Sequence, residues 1–162
     1  MKSFLTDERS MVAARATNDV QAEPDDSDAL RDVTVGKVVF DINSTDPKDL
    51  AIYLWGIGIT HDDLLRQGVK PEIILAFRGH AVSFISTDRK RFSPEQHESL
   101  DQIAEQINHL HQKGVRMESC ALAMRALEVE QENLLTGIKT VGNTFISLTG
   151  YQMKGYGVIP IY

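Results

Sequence analysis

The strongest constraint on this chain is an alternation of short apolar runs with connections that are too long for hairpins and carry helix signals. Lys37–Ile42, Pro71–Phe77, Val115–Ser119, Ile138–Val141 and Tyr156–Ile161 read as strands. Most are nearly unbroken in apolar residues, as strands are when helices cover both faces of their sheet. Parallel strands need crossovers of roughly a dozen residues or more, usually helical. The pattern therefore predicts a three-layer α/β/α sandwich around a five-stranded, mostly parallel sheet.

The connections carry their own punctuation. Asp46 makes an N-cap, with Pro47 at the first helical position and Asp49 in the first turn. The helix runs through Leu50, Leu54 and Ile57 towards Leu64 and Leu65, and Gly68 ends it. Tyr53, Trp55 and Ile59 lie off that stripe, so the helix has apolar surface on a second side, which suggests a subunit contact. Gly56 and Gly58 inside it each cost about 1 kcal/mol relative to alanine, and read as close backbone packing or a helix break. Ser93-Pro-Glu-Gln96 is a capping box, followed by the stripe Leu100, Ile103, Ile107 and Leu110, with Gly114 as the stop. Ala121–Leu127 and Thr144–Met153 are expected helices, and Val129–Leu135 adds another turn. Pro160 cannot donate a ladder bond, so the last strand belongs at an edge or ends there.

The chain has 162 residues, enough for one domain and too few for two ordinary ones. Its net charge of −6 argues against nucleic-acid binding, which needs a basic patch to meet phosphates. Residues 1–35 hold eight carboxylates against four cations, and Glu23-Pro-Asp-Asp-Ser-Asp reads as a solvated linker. This stretch is expected to be a flexible N-terminal extension, or else a partner-binding arm, ahead of a domain at 36–162. Met1–Arg9 reaches charged residues before any apolar segment develops, and no run is long enough to span a membrane. A single cysteine excludes an intramolecular disulfide and fits a reducing, cytoplasmic setting.

In an open parallel sheet, ligands bind outside the carboxyl ends of the strands. At that edge the sequence sets Asn43 and Ser44 after the first strand, Arg78 and His80 after the second, Cys120 after the third and Asn143 after the fourth. Cys120 also stands at a strand-to-helix turn, where unpaired N–H groups favour a thiolate. Arg78 or a protonated His80 would favour it further, and the N–H groups of Ala121 and Leu122 would cradle it. Glu118, on the same strand, would oppose ionisation only if its side chain curled back. A lone cysteine is also among the most buried residue types and can be a small hydrophobe. His109 and His111 are spaced to opposite faces of a helix, so no metal site is expected, and no cofactor. Gly-x-Ser-x-Gly, a phosphate loop and Cys-x-x-Cys are all absent.

Several segments are more specific. Leu75-Ala-Phe-Arg-Gly79, Ala81-Val-Ser-Phe-Ile-Ser86, Gly114-Val-Arg-Met-Glu-Ser-Cys120 and Val141-Gly-Asn-Thr-Phe-Ile-Ser-Leu-Thr-Gly-Tyr151 resemble the DsrE/DsrF-like family of sulfur-relay proteins, as does the terminal Pro160-Ile-Tyr162. The resemblance spans about 36–162, with His80 where the family more often has proline. It implies a compact α/β fold, a homo-oligomer (commonly trimer or hexamer), and in the relay members a cysteine that carries persulfide sulfur, here Cys120. The expected function is a sulfur carrier or sulfurtransferase-like protein exchanging sulfur with donor and acceptor proteins. Arg78, His80, Asn43 and Asn143 would stabilise its thiolate. The alternative is a non-catalytic oligomeric scaffold of the same fold with a buried, unreactive cysteine.

Overall fold

The computed structural model describes residues 23–162. The strands are β1 (Val35–Ile42), β2 (Lys70–Phe77), β3 (Arg116–Cys120), β4 (Ile138–Val141) and β5 (Gly157–Ile161). The helices are α1 (Pro47–Arg66), α2 (Ala81–Phe84), α3 (Pro94–Gln112), α4 (Ala121–Ala126) and α5 (Thr144–Met153), with a 3-10 turn at Gln131–Asn133. The strand order is β4-β3-β2-β1-β5, and every pairing is parallel. The α/β sandwich expected from the apolar alternation is thus the fold observed.

The capping signals act as read. Asp46 accepts the Lys48 N–H at 2.7 Å, and the Ser93 N–H donates to the Gln96 side chain at 3.1 Å. Pro160 lies on β5, an edge strand paired only with β1, where its missing N–H costs nothing. Two readings needed correction. The glycines at 56 and 58 neither break α1, which runs through them, nor answer a close approach, because a Cβ at either would meet nothing within 4 Å. The stretch after β2 also holds a helical turn, α2, whose four residues are all buried. Its apolar run is too short to show a helical period.

The two faces of the sheet are covered unequally. One carries α1 and α3 side by side over Phe40, Ile42, Leu75, Phe77 and Met117. The other carries α5, which crosses from the β4 edge to the β5 edge over Val39, Ile74 and Ala76. Strand alternation then assigns Asp41, Arg78, Glu118 and Cys120 to the α5 face, two steps along from those core residues or from each other. The part of the N-terminal extension that is described, from residue 23, reaches the end of α1. There the Asp26 N–H donates to Gln67 Oε1 at 2.6 Å, and Gln67 Nε2 donates back to Asp26 Oδ2 at 3.0 Å. Residues 1–22, the larger part of the expected extension, lie outside the described residues.

Candidate functional site

Cys120 ends β3 and is the N-cap of α4, with φ −73° and ψ 114°. An N-cap side chain bends towards the N–H groups two and three residues on, not towards its immediate neighbour. No capping hydrogen bond closes at the sulfur, and the peptide donors of its own helix that favour the anion are those of Ala123 and Leu122, where the sequence pointed to Ala121 and Leu122. Because α4 has only six residues, these local N–H groups count for more than any long dipole.

A second helix start reaches the same sulfur. Cys120 pairs in register with Val141 on β4, so the turn after β4 delivers the first residue of α5 beside it. Thr144 is 1% exposed, and both its N–H and its hydroxyl favour the anion. Burial pushes the Cys120 thiol up, but the donors of Thr144, Ala123 and Leu122 together outweigh it and leave the thiol below its ordinary value. The cysteine itself is 5% exposed, so access as well as ionisation governs its reactivity.

Arg78 follows β2 directly, and the register Phe77↔Ser119 puts it next to Cys120 across the strand ends. Its guanidinium is held on the far side by Asp41 of β1, with Nε to Oδ1 at 2.6 Å and Nη2 to Oδ2 at 2.9 Å. It lies under the Phe145 ring, 5.4 Å from the centroid. The bidentate bond to Asp41 raises the Arg78 pKa beyond its already high value, with Tyr162 and Cys120 contributing further.

The remaining candidates make contacts of their own. The Asn143 side chain caps α5, accepting the Phe145 N–H at 2.9 Å. His80 is exposed at the start of α2, where its carbonyl rather than its ring is engaged, by Ser83 Oγ at 2.7 Å. Asn43 follows β1, two strands and so roughly 10 Å from β3. Its carboxamide lies against Gly79, where a Cβ would come within 1.9 Å of Oδ1 and where φ is +55°. Only glycine fits there.

Glu118 shares the Cys120 face of β3 but does not curl towards the sulfur. Its Oε1 accepts the Tyr151 hydroxyl from α5, and Oε2 is buried without a partner. The residues that sequence reasoning passed over are Asp41 and Thr144. The first left a trace, a charged residue near the end of an otherwise apolar strand, whereas the second needed the strand order.

A hollow of about 450 Å³ opens at the opposite, N-terminal edge of β2 and β3, between His61, Lys70, Glu72, Lys113 and Arg116. It lies at the far end of β3 from the thiol. Among the described residues no group of three or more His, Cys, Asp or Glu is placed to hold a metal ion. None of their helices is long and apolar enough to cross a membrane.

Comparison with known proteins agrees with this architecture. An uncharacterized protein of Aquifex aeolicus (strain VF5) is 24% identical over 125 residues, which are 76% of this chain and 55% of that protein. The chain thus spans about half the length of that relative. The structure of MTH1491, a protein of unknown function from Methanobacterium thermoautotrophicum, aligns with a TM-score of 0.62 at 19% identity, over 77% of this chain and 98% of that one. The ychN protein from E. coli aligns with a TM-score of 0.54 at 12% identity, over 80% and 99%. At these identities the two structures speak for the fold. Residues 37–161, nearly all of the folded chain, match the DsrE/DsrF-like family, and the protein belongs to that family.

Proposed function

We propose that the protein is a sulfur carrier that holds a persulfide on Cys120 and passes it to an acceptor thiol. The observation that supports this most directly is the seating of Cys120 at the start of α4 and beside the start of α5, where the donors of Thr144, Ala123 and Leu122 leave the thiol below its ordinary value despite its burial. Family membership adds to it. The Cys120 thiolate attacks the terminal sulfur of a donor persulfide R–S–SH. The new S–S bond to Cys120 forms as the S–S bond of the donor breaks, and R–S⁻ leaves with the electron pair. Reversal onto an acceptor thiolate empties the carrier, so a single cysteine suffices and no oxidant is needed. Arg78 holds the edge of the site, and Thr144 steadies the anion.

The carrier reading is tested by incubating the protein with cysteine persulfide and weighing it intact. One added sulfur is expected in the wild type and none in Cys120→Ser. An unloaded wild type, under conditions that load a known carrier, overturns the reading.

A second reading, the oligomeric scaffold, is favoured by the 5% exposure of Cys120. It requires native thiol labelling to be slow and to accelerate only on unfolding. Both readings share a homo-oligomer, supported by Ile52, Trp55 and Ile59 exposed along α1 and by Phe145, Ile146 and Met153 exposed along α5. A reducing, cytoplasmic setting follows from thiol chemistry that must stay free of disulfides.

A further inference from the structure

Arg78 stands between two acidic groups on one face of the sheet. Alternation and register place Asp41, Arg78 and Cys120 on the α5 side of three adjacent strands. Asp41 takes both the Nε and the Nη2 of the guanidinium, at 2.6 and 2.9 Å. The pair is largely shielded, with side-chain exposures of 19% for Arg78 and 11% for Asp41. The Arg78 guanidinium therefore adjoins the thiol site with its charge already matched by Asp41, while the groups that hold the thiol down are the neutral N–H and O–H donors of Thr144, Ala123 and Leu122. Dipoles of this kind stabilise one small anion. They do not attract a second, multiply charged one as an unmatched guanidinium would.

We propose that Asp41 is the specificity-determining residue of the thiol site: by matching Arg78 it makes Cys120 take sulfur from an organic persulfide and disfavour a sulfur oxyanion such as thiosulfate. The inference rests on the carrier reading and names its donor class. With thiosulfate, the Cys120 thiolate would attack the outer sulfur, and sulfite would leave with the electron pair of the broken S–S bond. That step balances as the persulfide step does, but it brings two negative charges up to a thiolate whose neighbouring guanidinium, Arg78, is already matched by Asp41.

The charge argument is read from Cys120 alkylation by iodoacetate and by iodoacetamide. The two reagents are similar in size and differ in charge, so access cancels in the ratio of their rates. Asp41→Asn keeps the side-chain volume and one acceptor for Arg78, and is expected to raise the iodoacetate-to-iodoacetamide ratio about three- to tenfold, the scale of one unit charge removed at roughly 10 Å in a partly solvated site. Arg78→Gln is expected to lower it. A ratio that moves with neither substitution overturns the inference. Loading of the wild type, which needs no variant, is followed by intact mass with cysteine persulfide and with thiosulfate. Faster loading from the persulfide is expected. Equal loading from the two overturns the donor class and leaves the carrier reading standing, whereas loading from neither overturns the carrier reading itself.

Discussion

Cys120 is reactive or inert according to a few atoms that belong to two different turns. As the N-cap of α4 it meets Leu122 and Ala123, and as the register partner of Val141 it meets Thr144. The Thr144 hydroxyl is the one donor that a substitution can delete without disturbing backbone. Thr144→Val is therefore expected to raise the thiol pKa and slow Cys120 alkylation at neutral pH roughly threefold, the scale of one hydrogen bond. The pH–rate profile checks this, and its midpoint moves upward because the anion, not the thiol, has lost a partner. The strand-to-helix junction that marks Cys120 is local in sequence and so legible there. Thr144 is not, because it lies 24 residues away and is brought in by pairing of β3 with β4. Asn143 could be located at the sheet edge, but its carboxamide follows the local rule for an N-cap and turns back onto its own helix.

Helix α5 carries its own constraint. Thr144, Leu148 and Tyr151 are spaced four and three residues apart, so they share the face turned to the sheet. That face meets β3 twice, with Thr144 at Cys120 and the Tyr151 hydroxyl on Glu118. The second tie is part-buried, and Glu118 Oε2 already lacks a partner. Tyr151→Phe would strip the carboxylate of its remaining bond and is expected to cost about 1–3 kcal/mol in urea unfolding. Tyr151 also carries a pH signature. Burial, and then the hydrogen bond to Glu118, push its phenol from 10.0 up to about 12. A group whose pKa is raised by folding contributes stability that is whole below its unfolded value and lost as pH rises through its folded one. Stability is thus expected to fall between pH 10 and about 12, with a shallower decline in Tyr151→Phe. Tyr156, also raised by burial and by Glu72, accounts for part of the remaining slope.

At the scale of the whole molecule, the described residues leave apolar surface exposed along two helices. Along α1, Ile52 is 56% and Trp55 59% exposed, and along α5, Phe145 is 61% and Ile146 71% exposed. The α1 stripe is unlike the scattered apolar exposure of a monomer, because Ile52, Trp55 and Ile59 follow one another on a single helical face. Light scattering is expected to give a mass above that of one chain, and Trp55→Glu to reduce it; a monomeric wild type would sink the oligomer reading. Much of this architecture was determined by sequence alone. Apolar period, caps at Asp46 and Ser93, and the proline at 160 act over a few residues, and together they specify five strands, their helices and a parallel sheet. The donors around Cys120, the Asp41 match to Arg78 and the Glu118–Tyr151 tie were decided only in the tertiary structure. Each depends on strand order and on which face of the sheet α5 crosses, and neither is written in the local pattern of any one segment.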